Sequence, residues 1–259
     1  DHCKWLHVQL EALRPVSFPF DVSNLPKNGI YFLYERGECW AHGGEQARIV
    51  RIGTARNGNF RARIAEHFLL DDRKMKFDNS RPAPHERSIF RKNVGRALLS
   101  RDGDAYLHVW EIDFTSKASR EKFKHLRDVE KERRLEEEIT RVIRQTFSFR
   151  FIQVEEEEER MGVAGLEPAL IGTVAGCPVC MQSSGWLGRH SPVPQIRKKG
   201  LWLVHYLSAL PLSDGQRQVV AEAIAETKNG FFMRDTKPRF RVFATCNIGD
   251  EALDRLRQR

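Results

Sequence analysis

Two short runs of β-branched and aromatic residues, each next to a glycine, constrain the fold of this chain more than anything else in it. Leu25-Pro-Lys-Asn-Gly29 is turn chemistry, and Ile30-Tyr-Phe-Leu-Tyr34 follows it as a strand. Glu35-Arg-Gly-Glu38 reads as a tight turn. Arg48-Ile-Val-Arg-Ile52 is a second strand, closed by Gly53. The separation suits an antiparallel pair with a longer loop between the strands. Phe60, Ile64, His67 and Phe68 then recur at helical spacing, so an amphipathic helix follows the pair. On such a helix Arg63 and His67, four residues apart, share one face.

The rest of the chain fits around this unit. Residues 71–87 are polar, hold Pro82 and Pro84, and read as a mobile loop. Ser88 caps a basic helix running to Leu99. Tyr106 to Ile112 alternates and predicts a strand. Residues 117–145 predict one long charged helix or two, and Phe147 to Val154 is the clearest strand of all. A helix is expected from about Arg160 to Val174, then a Gly, Ser and Pro rich loop over 176–200. A helix from Gly215 to Thr227, a strand from Phe240 to Thr245 and a terminal helix complete the expectation. The class is therefore mixed α+β: a small central antiparallel sheet flanked by helices. The expected organisation is an N-terminal segment at 1–24, a core at 25–205 with an insertion near 70–160, and a C-terminal appendage at 206–259.

Charge narrows the partner. The net charge is +8, and residues 51–100 alone carry 12 Lys and Arg against 5 Asp and Glu. Local cation excess is what phosphate contacts require, since each phosphate needs a nearby cation. No apolar run approaches the roughly eighteen residues of a membrane-spanning helix. The opening DHCKWLHVQL lacks a signal-peptide pattern. Five cysteines, sparse and odd in number, argue against a disulfide framework and for a reducing, intracellular compartment. Cys177-Pro-Val-Cys180 has the spacing of zinc and redox motifs. No second pair of ligands at such spacing accompanies it, so two structural thiols are the default expectation, with a zinc-site protein a remote alternative.

Gly29-Ile30-Tyr31 at the head of the first strand, Arg51-Ile52-Gly53 at the end of the second, Arg63 and His67 on the next helix, and Glu167 on a later one form an ordered set. That set resembles the GIY-YIG nuclease superfamily over roughly residues 25–205. Ser88-Ile-Phe-Arg91, Trp186-Leu-Gly-Arg-His-Ser191 and Gly200-Leu-Trp202 look like a bacterial, restriction-endonuclease-like subgroup. The resemblance implies a metal-dependent endonuclease hydrolysing DNA phosphodiester bonds. It implies Mg²⁺ or Mn²⁺ as cofactor, double-stranded DNA as partner, a cytoplasmic location, and a homodimer with one active site per strand.

The residue roles follow from that resemblance. Tyr31 positions or deprotonates water, but a phenol with a usual pKa near 10 needs cations or a base beside it. Arg63 offers a fixed guanidinium fork to phosphate oxygens. His67 relays a proton or holds Tyr31. Glu167 holds a hard cation through one carboxylate. Two departures stand out. Arg51 replaces the second Tyr of the family pattern, and Tyr34, three positions from Tyr31, points to the opposite face of its strand. The Asn that often follows the Glu helix is missing, with Gln182 or a serine in its place. These departures motivate the rival expectation of a catalytically impaired module that binds nucleic acid or a protein partner. Arg56, Arg61, Arg87, Arg91, Lys92, Arg96, Arg189 and Lys198 are the expected DNA contacts.

Overall fold

The computed structural model describes residues 1–42, 46–75 and 77–232. In chain order the elements are α1 (His2–Leu10), β1 (Val16–Ser17), β2 (Ile30–Cys39), β3 (Ala47–Thr54), α2 (Phe60–Phe68), α3 (Ile89–Arg101), α4 (Leu107–Trp110), α5 (Lys117–Phe123) and α6 (Val129–Thr146). They continue with β4 (Phe147–Ile152), α7 (Glu157–Arg160), α8 (Leu166–Ala175), α9 (Pro194–Lys199) and α10 (Asp214–Thr227). The four strands form one antiparallel sheet in the order β1-β4-β2-β3. The expected α+β class, with helices around a small sheet, is what the chain adopts.

Strand alternation divides the interior into two layers. Tyr31, Leu33, Phe149 and Phe151 join α2, α3 and α6 through Phe60, Ile64, Phe68, Phe90, Val94, Ile139 and Ile143. Ile30, Phe32, Tyr34, Ile49, Ile52 and Ile152 join α1, α8 and α10 through Leu6, Leu10, Leu170, Val174, Val220 and Ile224. Tyr31 and Tyr34 thus lie in opposite layers.

Three local expectations are corrected. Glu35 to Glu38 is not a turn, because β2 runs on to Cys39. Glu35 pairs with Phe147 of β4, and its carboxylate accepts the indole N–H groups of Trp186 and Trp202, each at 2.8 Å. Tyr106 to Ile112 is helical. Asp104 accepts from the Tyr106 N–H at its start, and burial falls on Tyr106, Val109 and Trp110, a helical spacing that the alternation of the sequence concealed. The helix expected from Arg160 breaks into α7 and α8 around Gly162 and Gly165, where Gly162 holds φ +83°. The strand at 240–245 and the terminal helix lie outside the described residues.

The β3 edge is met by the segment Gly200-Leu-Trp202. Trp202 N–H donates to the Val50 carbonyl at 2.7 Å, and Arg48 Nη1 donates to the Gly200 carbonyl at 2.7 Å. Arg51 Nη1 donates to the Trp202 carbonyl. An exposed row of strand amides and carbonyls invites pairing with another chain, and this segment closes it.

Candidate active site

Glycines at two strand positions make room for the site. Tyr31 and Gly53 are cross-strand partners. A Cβ on Gly53 would sit 2.3 Å from the Tyr31 hydroxyl and 2.6 Å from its ring carbon Cζ. The Tyr31 ring therefore lies across Gly53 as no other residue would permit. On the other side of β2, a Cβ on Gly29 would meet the Ile152 carbonyl at 2.5 Å. The glycines thus have a steric reason: Gly29 admits β4, and Gly53 admits the phenol.

The Tyr31 hydroxyl is 2.8 Å from His67 Nε2, and His67 Nδ1 is 2.8 Å from Ser88 Oγ. Ser88 is at once the N-cap of α3, accepting the Arg91 N–H at 3.3 Å, and the second partner of the imidazole. The sequence signalled only the cap. His67 is fully buried. Burial pushes its pKa well below the usual imidazole value, and the charges of Arg51, Arg63 and Arg91 push it further down. At neutral pH it is therefore neutral, with one N–H and one lone pair. With Tyr31 donating to Nε2, the proton sits on Nδ1 and is donated to Ser88.

Arg51, opposite Leu33, lies on the Tyr31 face by regular alternation, and a β-bulge lies next to it. Leu33 pairs with Arg51 but Tyr34 with Ile49, so alternation slips by one residue. Val50 joins the layer of Tyr31 instead of the opposite one, and the Arg51 guanidinium lies 5.6 Å from the centre of the Phe90 ring. One Arg51 nitrogen is engaged by Trp202, while its buried Nε has no partner. Glu167, in the first turn of α8, is half-buried. Burial raises its pKa above the ordinary carboxylate range, while Arg51 and the Thr54 N–H oppose that shift. Arg51 is thus an electrostatic neighbour of both His67 and Glu167. Arg63 is partly open to solvent, with Nη1 3.3 Å from Glu66 and 3.1 Å from the Arg87 carbonyl.

The expected DNA contacts separate into two groups. Arg56, Arg87, Arg189 and Lys198 are exposed. Arg87 shares a cavity of about 160 Å³ with Glu66, Arg73, Lys74 and Arg81, where Arg73 is paired with Asp71 and Arg81 with Asp78. This basic rim adjoins Arg63. The other group is engaged internally. Arg91 is fully buried, bound to Glu136 through Nε at 3.1 Å and Nη2 at 2.5 Å, and to the His67 carbonyl at 3.2 Å. It is a structural residue that holds α2, α3 and α6 together, so its assignment as a DNA contact is corrected. Lys92 is buried against Glu86 and the Ile112 carbonyl and is corrected likewise. Arg96 makes two bonds of 2.6 Å to Glu111, and Arg61 donates to the Leu25 carbonyl at 2.6 Å. The Gln182 amide N–H donates to the Arg197 carbonyl in α9 at 2.7 Å, while its buried Oε1 has no partner.

Glu136 shows how completely the inner group is used. Burial alone would raise its pKa, but Arg91 and His85 outweigh burial and hold it near about 2. Sequence alone could not separate these cations from those of the rim, because an arginine or lysine reads the same whether a buried carboxylate or solvent faces it.

The chain matches the family described as the GIY-YIG domain over residues 8–229. It belongs to the GIY-YIG family, which places it among nucleases acting on DNA, enzymes that generally depend on a divalent metal. No curated protein and no solved structure matches the chain. Among the described residues no helix is long and apolar enough to cross a membrane.

Proposed function

We propose that this protein is a metal-dependent endonuclease of the restriction type, acting on double-stranded DNA as a homodimer. The observation that carries this reading is the Tyr31–His67–Ser88 hydrogen-bonded chain, flanked by Arg51, which adjoins both His67 and Glu167.

The chemistry follows from those residues. Arg63, partly open to solvent, binds a non-bridging phosphate oxygen, and the buried Arg51 guanidinium stabilises the growing charge as a fixed cation behind it. Neutral His67 accepts a hydrogen bond from Tyr31 at Nε2, which fixes the phenol so that its oxygen can orient the attacking water. Ser88 fixes the imidazole in the tautomer that leaves Nε2 free. Arg91, through the His67 carbonyl, fixes the backbone beneath it. Glu167 fits a hard divalent cation by its donor chemistry: one half-buried carboxylate, with water and phosphate completing the shell. A cation held there by Glu167 would supply positive charge to the phosphate and to the leaving oxygen. Arg51 takes the place of the family's second phenol and gives the site a fixed cation there. The exposed Arg56 and Arg87 extend the same charge along the DNA backbone.

The test is incubation of the purified protein with plasmid and phage DNA, in Mg²⁺ or in EDTA, beside Glu167→Ala. Discrete Mg²⁺-dependent fragments, absent with the variant, are expected. A Mg²⁺-dependent smear would remove the restriction reading and leave a non-specific nuclease. DNA binding without cleavage would favour the impaired module, which Arg51 in place of a tyrosine motivates, and Arg51→Tyr is then the variant to assay.

A further inference from the structure

Cys3, His42, Cys177 and Cys180 come from three places in the chain that share no sequence pattern. Cys3 is in the first turn of α1, His42 is in the turn after β2, and the cysteine pair follows the C-terminus of α8. Their four potential ligand atoms all lie within 4.8 Å of one another. Cys3 Sγ and Cys180 Sγ are 3.8 Å apart, and His42 Nε2 and Cys177 Sγ are 3.1 Å apart.

The 3.8 Å sulfur pair matches two ligands of one metal ion, and the 3.1 Å nitrogen–sulfur pair needs to open by only a few tenths of an ångström to admit it. Zinc–sulfur bonds of about 2.3 Å and zinc–nitrogen bonds of about 2.0–2.1 Å, arranged tetrahedrally, place ligand atoms roughly 3.5–3.8 Å apart. A disulfide needs its sulfurs at about 2.05 Å, and the cysteines of this cluster are free thiols. A span of 4.8 Å is too small to enclose a multi-iron cluster. Three sulfurs and one imidazole nitrogen are the soft donors that tetrahedral zinc takes.

The surroundings suit a closed site. Cys3, Trp40 and Cys180 are buried together as a small cluster separate from the two main core layers, with Cys177 packed on it. Trp40 stacks on His7 at 5.2 Å and 12° between ring planes. The Ala41 N–H donates to the Cys180 sulfur, as amides do to metal-bound thiolates. Asp1 Oδ2 lies 3.3 Å from His42 Nε2.

We infer that Cys3, His42, Cys177 and Cys180 bind a structural zinc ion that ties the N-terminal helix and the β2–β3 turn to the end of α8. Four protein ligands leave no open position, so this ion is structural and separate from the divalent metal at Glu167. It anchors the C-terminus of the helix whose first turn presents Glu167. The inference rests on the geometry of the cluster and does not depend on the nuclease reading.

The test uses the full chain, with any affinity tag removed, expressed in zinc-supplemented medium and purified without chelators. Elemental analysis is expected to find one zinc per chain. Exchange with Co²⁺ should give the thiolate-to-metal charge-transfer and visible bands of a tetrahedral site. His42→Ala and Cys177→Ser should lose the stoichiometric metal, whereas Cys39→Ser, which changes the exposed neighbouring cysteine, should keep it. Should the ligand variants fail to fold, the metal content and cobalt spectrum of the wild type still decide. Wild-type protein with no stoichiometric zinc, a cobalt spectrum lacking thiolate charge transfer, or a Cys3–Cys180 or Cys177–Cys180 disulfide in freshly purified protein would each overturn the inference. Nuclease assays of the same zinc-loaded sample in Mg²⁺ keep the two sites distinguishable.

Discussion

Gly53→Ala tests the site at its tightest point. The added methyl would begin 2.3 Å from the Tyr31 hydroxyl, which is less than any non-bonded contact allows, so Tyr31 must move. Its ring is hemmed in by Phe60 at 6.1 Å and His67 at 5.4 Å between ring centres, so it has little room to yield. Overpacking of this kind costs about 1–3 kcal/mol. Displacing the phenol also breaks the 2.8 Å bond to His67, a further loss of about 1 kcal/mol. Gly53→Ala should therefore destabilise the protein by about 2–4 kcal/mol and abolish cleavage. Urea denaturation of the wild type, Gly53→Ala, Tyr31→Ala and the double variant measures the coupling. With the ring removed the clash disappears, so Gly53→Ala should cost at least about 1 kcal/mol less in the Tyr31→Ala background. Strict additivity of the two changes would refute the steric account of this glycine.

Four further outcomes are expected. Glu35 is buried with two indole donors, and burial lifts its pKa from 4.5 to about 7. The native state then binds the extra proton, so wild-type stability falls as pH rises from 4.5 to 7 and levels off above. Glu35→Gln keeps an acceptor for both indoles and removes this titration; its stability relative to wild type should improve across that window by up to about 3 kcal/mol, and a pH-independent difference in urea melts would refute the reasoning. Glu136→Ala removes the carboxylate paired with buried Arg91 and leaves His85 only Glu86, so it should cost about 3–5 kcal/mol by urea denaturation; a loss under 1 kcal/mol would mean the cluster reaches water. Arg63→Ala, at a partly exposed position, should change stability by only about 0.5 kcal/mol while cleavage collapses. Arg56→Ala and Arg87→Ala should each lower the slope of log binding constant against log salt by about 0.9, and an unchanged slope in fluorescence titrations would remove them from the DNA face.

Much of the frame could be read from residue order. The strands at Ile30 and Arg48, the helix carrying Arg63 and His67, the Ser88 cap and the strand at Phe147 depend on local alternation, helical spacing and capping chemistry. Such signals act between residues close in the chain, so the sequence displays them. The opposite facing of Tyr31 and Tyr34 followed from the same period of two. Where a short segment fitted two periods, as at Tyr106 to Ile112, packing decided, and the buried positions of Tyr106, Val109 and Trp110 chose the helix.

What sequence by itself determined is therefore the family, the α+β class and the identity of the residues at the motif positions. Tertiary structure alone decided which cations are spent. Arg91 and Lys92 share a basic helix with Arg96, yet only burial against Glu136 and Glu86 distinguishes structural arginine and lysine from surface charge. It also decided that Ser88 holds His67, that Trp202 holds Arg51, and that Cys3 and His42 meet the Cys177–Cys180 pair. These contacts join residues 21, 151 and up to 177 positions apart. Composition and spacing carry no record of such meetings, because they arise when the two faces of one sheet are covered by helices from distant parts of the chain.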